Sequence, residues 1–240
     1  MKTIAIIGAN GAIGGALLSH IAEQYPDADL YAFSRSGEAG DRSAVDARWI
    51  EMDFLDEDSI KQSLDPIPKG TKFDAVIVAT GILHTDGFGP EKALSAISPE
   101  KMQTLFAVNT IGPSLVMKHF TPHMNRKERS VIAVISARVG SLSDNRLGGW
   151  YSYRASKAAL NMVVKTASIE AARRYKKMVI VALHPGTVDS DLSEPFQGNV
   201  PDGMLFSPAY SAERLWQVIQ SVEPDRSGQQ IAWDGQTVPS

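Results

Sequence analysis

The chain has 240 residues, enough for one α/β domain with a well-buried core, and its 43% hydrophobic and 21% charged composition is that of an ordinary globular protein. A net charge of −3 and a pI near 6.0 argue against a broad basic surface for nucleic acid, and the absence of cysteine excludes disulfides, thiol catalysis and cysteine-ligated metal. No stretch approaches the apolar length needed to span a membrane, so the expectation is a cytoplasmic protein with neither a membrane nor a nucleic-acid partner.

Taken in order, the apolar runs 3–7, 30–33, 49–52, 75–79, 131–135 and 178–183 read as strands. They are short and apolar on both faces, as strands of a parallel sheet covered on both sides should be. Between them, residues 12–24, 56–64, 99–124 and 151–175 carry apolar side chains at helical spacing, and a helix over 208–222 precedes a last strand over 230–233. Strict alternation predicts right-handed crossovers and a Rossmann-type doubly wound parallel sheet of about seven strands, three layers deep, in a single domain. The regions 81–99 and 189–208 are rich in Gly, Pro and polar residues and read as loops within that domain. The second is long enough to be a lid over a site.

The first strand runs directly into G-A-N-G-A-I-G-G, with Gly8, Gly11 and Gly14 three apart and Asn10 and Ile13 between them. A tight turn without side chains lets backbone N–H groups approach a pyrophosphate at a helix N-terminus, and a strand before and a helix after are the setting this requires. Cofactor choice is set at the end of the second strand. A carboxylate there would hold a ribose 2′-hydroxyl and repel a 2′-phosphate; here the run is Ser34, Arg35, Ser36. A guanidinium beside two hydroxyls suits a phosphate, which predicts NADP over NAD.

The segment W-Y-S-Y-R-A-S-K places Tyr153 four residues before Lys157, on one helical face. A phenol titrates near 10, and a neighbouring ammonium favours the phenolate and lowers that value. Such a pair can serve as a general acid/base for an alkoxide or alcohol as hydride moves.

Y-R-A-S-K resembles the Tyr-x-x-x-Lys signature of the short-chain dehydrogenase/reductase family, and the glycine turn is similar to that family's cofactor loop. The sequence V-A-T-G (78–81) stands where the family has Asn-Asn-Ala-Gly. F-A-V-N-T-I-G (106–112) resembles its Asn-Val-x-Gly stretch, and H-P-G-T-V-D-S (184–190) its Pro-Gly segment. The late G-Q-Q-I-A-W-D-G-Q-T-V-P resembles the tail of the sniffer-like and C-factor-like carbonyl reductases. The resemblance spans the whole chain. It implies Asn109 as the catalytic asparagine, and Asp53 with Phe54 beside adenine. It also implies Ala79, Thr80 and Gly81 along the cofactor, and Pro185, Gly186, Val188 and Ser190 around the nicotinamide. The implied activity is reduction of a small-molecule carbonyl to an alcohol with NADP(H), by a homodimer or homotetramer. Helices 99–124 and 151–175 would form the dimer surface, lined by Met117, Val164 and Ala171.

Three departures stand out. Ala12 replaces a frequent glycine, and no basic residue lies in the glycine loop, so Arg35 carries the NADP inference alone. Aligned on Gly140, the family's carbonyl-polarising serine is Ala137. Ser136 is the nearest hydroxyl and is taken as its substitute, with Ser141 as rival; adjacent strand residues face opposite ways, so Ser136 would need a twist or bulge. Ala137 also motivates an alternative, an NADP-binding signalling or redox-sensing protein that turns over weakly or not at all. His119 and His123 lie four apart but lack a third ligand, so no metal is expected. The lid, with Pro195, Phe196, Met204, Leu205 and Phe206, would favour substrates with apolar or aromatic parts.

Overall fold

In a computed structural model, residues 1–240 are described, apart from the side chains of Asp41 and Asn199. Seven parallel strands form one sheet: β1 (Thr3–Ile7), β2 (Asp29–Ser34), β3 (Arg48–Glu51), β4 (Ala75–Val78), β5 (Ser130–Ile135), β6 (Met178–His184) and, past the short pair β7 (Thr187–Val188) and β8 (Leu205–Phe206), β9 (Gln230–Ala232). The order β3-β2-β1-β4-β5-β6-β9 makes β1 and β4 neighbours, with successive strands diverging to either side. That reversal is the switch point where an open α/β sheet leaves a crevice at its carboxyl edge.

Every residue of β4 and β5 is buried, because helices cover both faces. On one face, Leu17, Leu18 and Ile21 of α1 (Ala12–Gln24) join Leu215, Trp216 and Ile219 of α6 (Pro208–Ser221). On the other, Val116 and Phe120 of α4 (Gly112–Phe120) meet Leu160 and Val164 of α5 (Tyr151–Arg174). The short helix α2 (Glu57–Gln62) begins one residue later than the periodicity suggests, because the Asp56 carboxylate caps it by accepting from the Asp58 N–H at 2.9 Å.

The expected helix over 99–124 is broken into α3 (Pro99–Phe106), a π turn (Ala107–Ile111) and α4. Pro113 has no N–H to give the Asn109 carbonyl four residues earlier, so the ladder widens just before it. The region 189–208 is more ordered than a plain loop. It holds a 3-10 turn (Glu194–Asn199) and β8, which pairs with β7 through Val188 and Phe206. Met117, Val164 and Ala171, expected on a dimer surface, are instead buried in the core, because α4 and α5 turn those faces to the sheet. The apolar residues exposed on this side are Ile111, Met162 and Ile169. No helix among the described residues is long and apolar enough to cross a membrane.

Candidate active site

Gly8 leaves β1 with φ of +83°, and its N–H and that of Ala9 both donate to the Phe33 carbonyl. A side chain here would be strained by the backbone conformation and would press on Ala79 O and the Thr80 methyl, at 3.0 and 3.1 Å. Gly14 faces the same turn so closely that a Cβ would lie 2.3 Å from the Gly8 carbonyl oxygen. Gly11 is the N-cap of α1 and provides no side-chain cap, so the first N–H groups of the helix stay available to an anion. Thr80 Oγ1, against this turn, is buried without a hydrogen-bond partner. An orphaned hydroxyl beside an uncapped helix start fits a dinucleotide, whose phosphates and ribose would supply the missing partners.

The residues expected at the adenosine end follow β2 and β3. Ser34 is buried, and its hydroxyl accepts from the Gly37 N–H at 3.2 Å; Arg35 is exposed. Asn10 pins the turn to this segment by donating to the Glu38 carbonyl at 3.1 Å. Asp53 Oδ1 accepts from the Leu55 N–H, and the Phe54 ring lies on Gly112, where a Cβ would meet it at 2.4 Å. One basic residue was missed in the sequence. The guanidinium of Arg42 lies over the first turns of α1, with its Cζ 2.1 Å from a Cβ built on Gly15, and Nη1 donates to the Asn10 carbonyl at 3.4 Å. The doubled glycine at 14–15 was the available signal, since Gly15 is what makes room for that side chain.

At the other end, α5 carries Tyr153 and Lys157, both buried. The Lys157 amine donates to the Ile135 carbonyl at 3.0 Å and sits 6.0 Å from the Tyr153 ring centre. A Cβ at Gly81 would lie 3.3 Å from both Lys157 Nζ and Asn109 Oδ1, so Gly81 opens the space between them. Asn109, in the π turn, is fully buried. It accepts from the Ile82 N–H and donates to the Ile82 carbonyl, each at 2.9 Å, and donates to Ser156 Oγ at 3.1 Å. Its amide thus fastens the segment after β4 to α5.

Burial sets the titration of the pair. It pushes the Tyr153 phenol above its ordinary range and brings the Lys157 ammonium down to about 7. Desolvation disfavours phenolate and ammonium alike. The lowered phenol pKa expected from spacing is therefore not what this pocket produces without a bound nucleotide; the phenol keeps its proton, which suits a proton donor.

The serines do not converge on Tyr153. Ser136 donates to Asn161 Oδ1 at 2.7 Å, and Asn161 passes the bond on to Gln230 at 2.9 Å. Asn161 is eight residues beyond Tyr153, about 12 Å along the helix axis. Ser136 was expected to take the polarising role; its hydroxyl donates to Asn161 of α5 instead, and its N–H continues the regular ladder with β6 by donating to the Leu183 carbonyl. Ser141 accepts from the Asp144 N–H at 3.1 Å and lines a separate 220 Å³ cavity with Tyr151 and Arg154. Ala137 is among the residues that pack against the cluster of Leu83, Leu105 and Tyr153. His184 is held neutral, since burial and then Arg138 lower it to about 4, and its Nδ1 accepts from the Arg138 N–H. Pro185 and Gly186 follow at the carboxyl end of β6, and Phe206 packs on Gly186. Ser190 donates to the Val188 carbonyl at 3.2 Å. His119 bonds Glu57 at 2.8 Å and does not pair with His123.

A cleft of about 410 Å³ lies between the hairpin turn at Thr85–Phe88 and the lid residues Pro195 and Phe196. Phe196 and Leu192 turn inward, whereas Met204 and Leu205 are exposed. Trp150, just before α5, is the one non-glycine residue with positive φ among the described residues (54°), a conformation that costs roughly 1–3 kcal/mol. Its N–H donates to the Glu91 carbonyl, and the buried Glu91 carboxylate accepts from both the N–H and the hydroxyl of Ser152. Burial raises the Glu91 pKa, but the Ser152 and backbone hydrogen bonds outweigh it and hold the carboxyl below its usual value. Glu91 also escaped the sequence reading, since nothing local links it to a helix sixty residues on.

The sequence profile of the family described as short chain dehydrogenase matches residues 2–200. Among curated proteins, the chain is 28% identical over 245 residues to 1-hydroxy-2-glutathionyl-2-methyl-3-butene dehydrogenase of Rhodococcus sp. (strain AD45), covering 98% of each. It is 35% identical to C-signal of Myxococcus xanthus over 147 residues, 61% of this chain and 83% of that one. Its fold matches NADPH-bound carbonyl reductase from chicken fatty liver with a TM-score of 0.86 at 23% identity, over 100% and 99% of the two chains.

Proposed function

Because the chain belongs to the short chain dehydrogenase family, whose members are oxidoreductases using a nicotinamide dinucleotide, we propose that this one is an NADP(H)-dependent carbonyl reductase, reversible in principle. One observation carries the reading: Lys157 Nζ and Asn109 Oδ1 flank the open space at Gly81 while Tyr153 shares the same buried pocket. When bound, the dinucleotide supplies the hydride. Gly8, Asn10, Gly11, Ile13 and Gly14 would hold its pyrophosphate, and Asp53 and Phe54 its adenine. Ala79, Thr80, Gly81 and Lys157 would hold the ribose beside the nicotinamide, with Pro185, Gly186, Val188 and Ser190 framing the ring. Tyr153 gives its phenolic proton to the carbonyl oxygen, and Lys157 in its ammonium form then favours the resulting phenolate. Asn109 keeps the segment after β4 and the helix of Tyr153 in fixed relation.

Preference for NADP over NAD is part of the proposal. Arg35 and Arg42 support it as two guanidiniums on the segment that follows β2. The NADPH-bound state of the chicken reductase supports it by likeness. A cytoplasmic address and a homodimer or homotetramer belong to the same reading; Ile111, Met162 and Ile169 are apolar groups a second copy would cover. Ala137 favours a second reading, a nucleotide-binding sensor with weak turnover. The test is NADPH consumption with a panel of aldehydes, ketones and quinones. Turnover should fall about a hundredfold or more in Tyr153→Phe with NADPH affinity unchanged. R35A and R42A should each weaken NADPH about tenfold and leave NADH untouched. Tight NADPH binding with no turnover of any compound would favour the sensor.

A further inference from the structure

We propose that Trp150 is the specificity-determining wall of the substrate cleft, shaped for aryl aldehydes and ketones, and that Glu91 is the positioning residue that holds it there. This rests on the carbonyl-reductase reading above. A helix start is ordinarily capped by the side chain at the N-cap position itself, from Ser, Thr, Asp or Asn. At α5 that position is Trp150, which provides no cap, and its left-handed backbone is one that Asn or Gly would adopt at less cost. The acceptor arrives instead from Glu91, 61 residues earlier, whose carboxylate takes the Ser152 N–H and hydroxyl while its carbonyl takes the Trp150 N–H. Delegating the cap frees position 150 for a large ring.

The ring is packed between Tyr153 and the lid residue Phe196. It stands edge-to-face on Tyr153, with centroids 6.2 Å apart, and on Phe196 at 5.1 Å. Phe196 continues to His84 at 5.7 Å, and His84 ties the cleft to the lid by donating to the Asp191 carbonyl at 3.1 Å. Phe196 and His84 line the 410 Å³ cleft together with Phe88 and Pro195, and Trp150 backs Phe196 from behind that lining, joining it to the proton donor. Aromatic edges and faces arranged this way favour a flat π system over a flexible aliphatic chain.

The test measures binding of benzophenone to the protein saturated with NADP+, a pairing that cannot react, by calorimetry, alongside turnover of propanal with NADPH. In E91A and in W150A, benzophenone should bind about tenfold more weakly, with propanal turnover falling by a smaller factor and NADP+ affinity within about twofold. Glu91 acts through Trp150, so the double variant should lose no more than either single one. E91Q should recover most of the loss, because its amide can still accept from the Ser152 N–H and donate to the hydroxyl. The proposal is overturned if the wild-type protein binds no benzophenone, if E91A leaves that binding unchanged, or if the two losses multiply. If E91A no longer binds NADP+, W150A and E91Q decide: unchanged benzophenone binding in W150A, or a loss in E91Q equal to that of W150A, overturns it. Failure to reduce any carbonyl compound would remove the reading beneath it, while benzophenone binding still reports on the wall.

Discussion

Between β1 and α1 the chain makes its turn with backbone alone, whereas above Tyr153 side chains from distant segments have to meet. At the glycine turn, the nearest neighbours of Gly14 are Gly8 atoms six residues away, and the anion-binding groups are main-chain N–H. At the substrate end, Glu91 reaches Ser152 across 61 residues and His84 reaches Asp191 across 107. The first construction tolerates almost no change at its own positions and imposes few conditions elsewhere. The second tolerates change at many positions but depends on long-range agreement. A cofactor shared by a whole family and a substrate peculiar to one member make those different demands.

The sharpest way to break the contrast is a methyl group on each side. Gly14→Ala drives a Cβ to 2.3 Å from a backbone oxygen that cannot swing aside. A loss of about 3 kcal/mol in urea unfolding and a marked fall in NADPH affinity are expected. Gly89→Ala, on the substrate loop, meets nothing within 4 Å at a φ open to alanine, and should change stability by less than about 0.5 kcal/mol. Equal effects at the two sites would erase the distinction.

Lys157 sharpens it from the chemical side. Its ammonium titrates near 7 in the folded pocket and near 10.4 in the unfolded chain. Between those values the unfolded chain binds more protons, so stability rises with pH through the window. The burial penalty is fully present below about pH 7 and absent above the unfolded value. Lys157→Met should gain about 2 kcal/mol near pH 6.5 and lose that pH dependence, while turnover falls. A variant as pH-sensitive as the parent would show the amine to be better solvated than its surroundings indicate.

The same division decides what could be read from the sequence. Gly8, Gly11 and Gly14, like Tyr153 and Lys157, owe their meaning to spacings of three and four residues, and the structure brings both sets to one crevice. The strand and helix alternation was legible for the same reason, since each element declares itself by local periodicity. The π turn at Asn109 was not, although Pro113 hinted at it, because a proline only says that one bond is missing and not how the chain will respond. Glu91 carried no local sign at all, and Arg42 only the distant one of the doubled glycine at 14–15. Ser136 was misplaced because the direction of a side chain at a strand end depends on twist, and here on the Asn161 amide that captures its hydroxyl.

That last residue supplies the smallest and most discriminating change. With Ser136 bonded to Asn161 and Ser141 lining another cavity, Ala137, packed against the Tyr153 cluster, is the position where the proposed reduction would want a carbonyl-polarising hydroxyl. A full oxyanion donor is worth a hundredfold or more. One added without its own supporting hydrogen bonds should recover only a fraction, so Ala137→Ser should raise kcat for a good carbonyl substrate about threefold to tenfold, roughly 1 kcal/mol, with the KM for NADPH unchanged. Ser136→Ala should do the reverse of what a catalytic serine would do: kcat within about twofold, and about 1 kcal/mol of stability lost as Asn161 loses its donor. A collapse of kcat in Ser136→Ala would mean that the hydroxyl swings from Asn161 to the substrate once the site is filled. An unchanged kcat in Ala137→Ser would mean that the carbonyl lies elsewhere along the aromatic wall.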